Sequence, residues 1–165
     1  MRLRRFRAGA GCGILRRDRR IVDIAIRHAT VTDAEKIAQL VTGLGYPTSP
    51  GQMSTRLEAV LADGDYSTLV AAAGERIVGF IGTRVGPLYE SNDRYGQIMA
   101  LAVASDHQRR GIGRTLMEAA EAILVGRGAR VLIVHSGNHR ADAHAFYEKN
   151  GYAFTARRYK KSVTS

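Results

Sequence analysis

From residue 23 onward, apolar positions recur with two alternating periods. "DIAIRHA" (23–29) alternates apolar and polar like a half-buried strand, and "TDAE" (32–35) then offers Thr32 and Glu35 as a capping box. Ile37, Ala38, Leu40 and Val41 follow at helical spacing on one face. "LGYPTSPGQ" reads as a loop, after which Ser49 as cap and Pro50 in the first turn open a second helix carrying Met53, Leu57, Val60 and Leu61. "STLVAAA", a turn at "GE" and "RIVGFIGTRV" predict a hairpin; "GPLYESNDRYG" is a loop and "QIMALAVA" a further strand. "RTLMEAAEAILVG" is an amphipathic helix, "ARVLIVHS" a buried strand, "DAHAFYEKN" a short helix stopped by Gly151, and "YAFTARRYKKSV" a last strand. Strands and helices in this order predict a mixed sheet with helices on its faces.

Size confines these elements to one domain, since 165 residues with 45% apolar content bury one core and are too few for two. No run approaches the roughly 20 apolar residues of a membrane span, and the N-terminus lacks the apolar middle of a secretory signal, so a cytoplasmic protein without membrane contact is expected. Cys12 is the only cysteine, which excludes an intramolecular disulfide and a cysteine-rich metal site.

The net charge of +10 is unevenly spread: residues 1–20 hold eight Arg and one Asp, leaving only +3 for the rest. Residues 1–22 are therefore a basic, disordered extension, with the folded domain at 23–165. Three origins fit this segment: a nucleic-acid-binding arm, an organellar presequence, or an upstream misreading of a start codon at Val22. Its "GAGCG" is no dinucleotide fingerprint, because no strand precedes it and Ile14 takes the third glycine position.

"QRRGIG" (108–113) stands where the apolar strand hands over to the amphipathic helix. A helix N-terminus presents unsatisfied N–H groups with the positive end of the helix dipole, which suits a phosphate. Gly111 and Gly113 would let the backbone approach the anion closely, and Arg109, Arg110 and Arg114 would add charge around it. A Walker A loop is excluded because no Lys-Ser/Thr follows, and Leu116 replaces the third glycine of a Rossmann fingerprint. A capped surface helix with arginines in water is the alternative.

The segment "QRRGIG" resembles the Q/R-x-x-G-x-G/A signature of the GNAT superfamily of N-acetyltransferases, and "DAHAFYEKNGY" resembles that superfamily's distal helix at the expected separation. The likeness covers residues 23–165 and is greatest for a small-amine branch that includes aminoalkylphosphonate acetyltransferases. It implies a single α/β domain whose mostly antiparallel sheet contains a splayed central parallel strand pair. It further implies acetyl-CoA as co-substrate, with the pyrophosphate on the amides of Gln108, Arg109, Arg110, Gly111, Ile112 and Gly113, Arg114 beside them, and the pantetheine along Leu101, Ala102 and Val103. Tyr147 matches the tyrosine that protonates the departing thiolate; the competing reading is a packed helix aromatic. Asn138 sits one residue past the branch's usual asparagine, which is Gly137 here, and is carried as a weaker cofactor contact. His139 and His144 lack carboxylates at a known zinc spacing, and no metal is expected.

A phenol of pKa near ~10 can pass its proton to a thiolate of pKa ~8.5 at a cost of about 2 kcal/mol. Deprotonating an alkylammonium of pKa near ~10.4 at pH 7 costs roughly 4 to 5 kcal/mol, so a base or water relay helps; ordered water with backbone carbonyls, or a substrate amine of depressed pKa, are the alternatives. Related enzymes carry Glu at the start of the central strand, whereas this chain has Gln97, which accepts no proton. Glu90, Asp93, Tyr46 and His135 are the other candidates, and Tyr46, Glu90 and Gln97 are expected to touch the substrate. The resulting expectation is direct acetyl transfer to the primary amine of a small molecule by an enzyme that can form a homodimer. The alternatives are an aminoglycoside or protein N-terminal acceptor, or a CoA-binding protein that meets nucleic acid through residues 1–20.

Overall fold

Two long strands joined by a tight turn form the middle of the sheet. In the computed structural model, which describes residues 23–137 and 140–163, β2 (Tyr66–Ala73) and β3 (Arg76–Pro87) pair antiparallel. β1 (Ile24–His28) flanks β2, and β4 (Arg94–Val103) flanks β3, both antiparallel. β5 (Ala129–Val134) lies parallel to β4, giving the order β1-β2-β3-β4-β5. A parallel neighbour demands a crossover, and α3 (Ile112–Gly126) supplies it.

The helices α1 (Ala34–Gly43) and α2 (Pro50–Ala62) bury Ile37, Ala38, Met53 and Leu57 against Val70, Ala72, Phe80 and Ala102 on one face of the sheet. On the other face α3 inserts Leu116, Met117, Ala120 and Leu124 among Leu69, Val78, Ile81, Val85 and Ile98. The helix α4 (Ala141–Lys149) adds Phe146 and Tyr147 to that second cluster. Ser49 caps α2 as expected, accepting from the Gln52 N–H at 3.2 Å while Gln52 Oε1 accepts from the Ser49 N–H at 3.0 Å.

Three sequence expectations are corrected. The chain enters α1 through Thr30 and Asp33 rather than Thr32 and Glu35: Asp33 Oδ2 accepts from the Thr30 N–H at 2.9 Å, and a 3-10 turn at Val31–Asp33 precedes the helix. Asp33 wins because Arg27 on β1 also grips it, at 2.7 and 2.8 Å, a contact that local spacing does not reveal. "ARVLIVHS" is less buried than its run of apolar residues suggests, since β5 is the last described strand of the sheet and leaves Val131 47% exposed. Residues 152–163 form no strand, although their alternation predicts one; Phe154, Tyr159 and Val163 stay exposed, with no pairing that would fix an extended chain. The expectations for residues 1–22, including Cys12, and for Asn138 and His139 lie outside the described residues.

Candidate active site

Pairing between β4 and β5 ends at the rung Ile98–Val134, while β4 runs on to Val103. Beyond that rung no strand among the described residues borders the β5-facing edge of β4, and outward main-chain N–H groups there are open to a ligand. A bulge marks the same place: Gly82 pairs with Ala100 and Thr83 with Ile98, so Met99 is an extra residue, 50% exposed. Leu101, Ala102, Val103 and Gln108 line an open cavity of about 510 Å³, with Lys36 and Gln39 of α1 on one side and Arg140 on another.

The turn after β4 is fixed by its own side chains. Gln108 Nε2 donates to the Val103 carbonyl at 3.1 Å, tying the turn to the strand end. Arg109 has φ +59° and Gly111 φ +83°. Among the described residues Arg109 is the one non-glycine with positive φ, a conformation costing roughly 1–2 kcal/mol in a side-chain-bearing residue. Gly111 is the N-cap of α3 and provides no capping side chain, so the first-turn N–H groups stand uncapped at the positive end of the helix dipole. That arrangement can hold an anion. Ile112 is buried and anchors the turn, Arg110 is exposed, and Arg114 reaches along the helix to Glu118 at 2.7 Å.

The two sequence motifs meet here. A Cβ on Gly113 would stand 3.5 Å from the Phe146 ring and 3.8 Å from Val103 Cγ2, so α4, α3 and the end of β4 touch at one point. The Tyr147 ring packs edge-on to Phe146 at 5.5 Å and to Tyr152 at 6.0 Å. Its hydroxyl has no hydrogen-bond partner among the described residues. Burial raises the Tyr147 pKa, and the positive charge of Arg140 opposes that shift. The phenol therefore stays protonated at neutral pH.

Elsewhere, Gln97 Nε2 lies 2.9 Å from His135 Nδ1, bridging β4 and the end of β5. Tyr46, in the loop between α1 and α2, is 67% exposed, and Glu90 is exposed in the loop before β4; neither lines the cavity. Asp93 accepts from Ser91 Oγ at 3.3 Å. His144 Nε2 lies 3.0 Å from the Gly137 carbonyl, so the ring donates there and holds the loop that follows β5. His107 and Arg76 hold the Asp106 carboxyl below its usual range in the turn before "QRRGIG". Sequence reasoning missed Ser136, two residues past β5, whose buried hydroxyl has no partner among the described residues; its signal was a lone hydroxyl closing an apolar run. Among the described residues, no group of three or more His, Cys, Asp or Glu is placed to hold a metal ion. No helix there is long and apolar enough to cross a membrane.

The acetyltransferase (GNAT) family model matches residues 33–152, from the start of α1 through α4. The chain belongs to this family. A mycothiol acetyltransferase from Pseudarthrobacter chlorophenolicus is 26% identical over 100 residues, 61% of this chain but only 31% of that protein, so the chain spans about a third of the curated relative. A GNAT family acetyltransferase from Staphylococcus aureus superposes with a TM-score of 0.73 at 25% identity, covering 85% of this chain and 98% of that one. An aminoglycoside acetyltransferase from an uncultured soil metagenomic sample, in complex with sisomicin, gives 0.71 at 21% identity, with 86% and 97% covered. At that identity the likeness speaks for the fold. Acetyl-CoA is the co-substrate of the family, and the unpaired β4 edge leading into an uncapped helix is compatible with it.

Proposed function

We propose that the protein transfers acetyl from acetyl-CoA directly to the primary amine of a small molecule. The observation that carries this reading is the early end of the β4–β5 ladder: an open strand edge runs from Met99 to Val103, and a turn over residues 104–111 connects it to the α3 N-terminus. The pantetheine would take the place of the missing strand, lying along Leu101, Ala102 and Val103 and hydrogen-bonded to the β4 main-chain groups that point away from β3. The diphosphate would sit on the N–H groups from Gln108 to Gly113, with Arg109, Arg110 and Arg114 adding charge.

A main-chain N–H of β4 near the bulge would stabilise the oxyanion as nitrogen attacks the thioester carbon. Collapse breaks the C–S bond, and the Tyr147 hydroxyl protonates the sulfur. Cavity-lining polar groups on α1, Lys36 and Gln39, bear on specificity. Calorimetry with acetyl-CoA tests the first half of the reading. An acceptor panel of spermidine, 2-aminoethylphosphonate, sisomicin and a short peptide, read by thiol release, tests the second. Binding with release driven by an amine is the expected result. Absence of heat at millimolar CoA would overturn the cofactor assignment, and binding without any acylated amine would overturn the reaction.

A further inference from the structure

Deprotonating the acceptor amine requires a base, and Gln97 is not one. Its neighbour is. Ile98 packs into the core beneath α3, so Gln97, one residue earlier in β4, projects from the other face of the sheet. There it meets His135, which follows the last residue of β5, at 2.9 Å between Nε2 and Nδ1. The pair sits beside Ile98–Val134, the final rung before the strands part, and next to the Met99 bulge. His135 is solvent-exposed, so a proton taken up there can leave to water. The other sequence candidates lie elsewhere: Glu90 and Asp93 precede β4, and Tyr46 is on the loop between α1 and α2.

Resting on the amine-acetylation reading above, we propose that His135 accepts the proton of the attacking amine and that Gln97 positions its ring. A primary amide can serve both states of an imidazole. Its N–H donates to a bare Nδ1; turned over, its Oε1 accepts from Nδ1–H and leaves the Nε2 lone pair free for the ammonium proton. His135 removes one proton from R–NH3+ and passes it to solvent. Nitrogen then bonds to the carbonyl carbon, the C–S bond breaks, and sulfur takes the Tyr147 proton. The second nitrogen proton returns through water to the tyrosinate, so one amide, one thiol and one released proton balance the reaction. The titratable and charged groups on the same face of the neighbouring strands are Arg84 on β3, register-paired with Gln97, and Tyr66 on β2, whose ring Arg84 covers at 5.5 Å; His144 holds the Gly137 carbonyl two residues beyond His135. Tyr147 packs in the α3-side cluster, so nitrogen approaches from one face of the sheet and the leaving group is protonated from the other.

The test compares the full-length parent with His135→Gln, Gln97→Glu and Gln97→Ala. Acetyl-CoA affinity is measured by calorimetry, and kcat/KM against pH is measured with the best amine of the panel and with hydroxylamine, whose nitrogen is already neutral at pH 7. His135→Gln should keep its CoA affinity, lose roughly 100-fold or more in kcat/KM with the amine, lose the slope-one acid limb, and lose less than about tenfold with hydroxylamine. Gln97→Glu should move the acid limb to higher pH, because a carboxylate beside the ring favours its charged form. Gln97→Ala should lower kcat/KM less than His135→Gln does and retain the limb. If His135→Gln retains the parent's limb and most of its amine activity, the role of His135 is overturned while the reaction stands; equal losses with both nucleophiles have the same meaning. A chain that binds acetyl-CoA and acylates neither nucleophile overturns the reaction and this role with it.

Discussion

Replacing Tyr147 with Phe removes one hydroxyl and little else. The ring contacts to Phe146 and Tyr152 at 5.5 and 6.0 Å are kept, and the hydroxyl has no partner among the described residues, so no internal hydrogen bond is lost. Stability should therefore change by less than about 1 kcal/mol. The rate effect should be much larger. General acids contribute roughly 10²–10⁴, or about 3–5 kcal/mol at 1.36 kcal/mol per tenfold. Burial, the main cause of the raised Tyr147 pKa, makes it a weaker acid, and transfer to a thiolate of pKa ~8.5 already costs about 2 kcal/mol from an unperturbed phenol. The contribution thus belongs at the low end, about 100-fold in kcat. Thiol release from acetyl-CoA with the best panel acceptor measures it, and calorimetry checks that CoA affinity stays within about twofold of the parent. A Tyr147→Phe enzyme with kcat within about threefold of the parent, or with parallel losses in kcat and CoA affinity, would refute the acid assignment.

The pH dependence gives a second check: because the Tyr147 pKa is raised, its acid form persists to higher pH than a free phenol's, and kcat should fall only as pH rises through that value. Arg140→Gln removes the charge that opposes the shift and should move this basic limb further up in the kcat–pH profile. Asp33→Asn should destabilise the fold by about 1–2 kcal/mol in urea denaturation, since a charge-assisted pair is lost but Arg27 is 45% exposed at its side chain. The Arg27 hydrogen bond is the first cause holding the Asp33 carboxyl below its ordinary range, so this difference should be full above pH ~3.9 and vanish as pH falls through the depressed value. Gly111→Ala meets no atom within 4 Å, yet its φ of +83° should cost roughly 1–2 kcal/mol, visible as a lower thermal midpoint and weaker acetyl-CoA heat.

Much of the scaffold is readable from local chemistry. Ser49 and Pro50 announce α2, "GE" turns the hairpin, and "QRRGIG" marks the strand-to-helix handover, because each is fixed by residues a few positions apart. What escaped depends on neighbours distant in sequence. Asp33 takes the capping role through Arg27 on β1, and the contact between Gln97 and His135, 38 residues later, has no local signal. The tail 152–163 alternates like a strand without becoming one, since alternation records a preference and pairing needs a partner. Ser136 gave almost no warning, because an unsatisfied hydroxyl is defined by what surrounds it.

The bulge at Met99 shifts the reading frame of β4. Upstream, Ile98 faces α3; downstream, Ala100 and Ala102 face α1 and α2, while Leu101 and Val103 turn toward α3. Were Met99 to pair into the ladder instead of bulging out, that downstream half would invert, pressing Leu101 and Val103 into space shaped for alanines and emptying the volume they fill under α3. The bulge is therefore what aims each downstream side chain of this strand. Excising Met99 should leave those faces as they are, because Ile98 and Ala100 already pair with the consecutive residues Thr83 and Gly82.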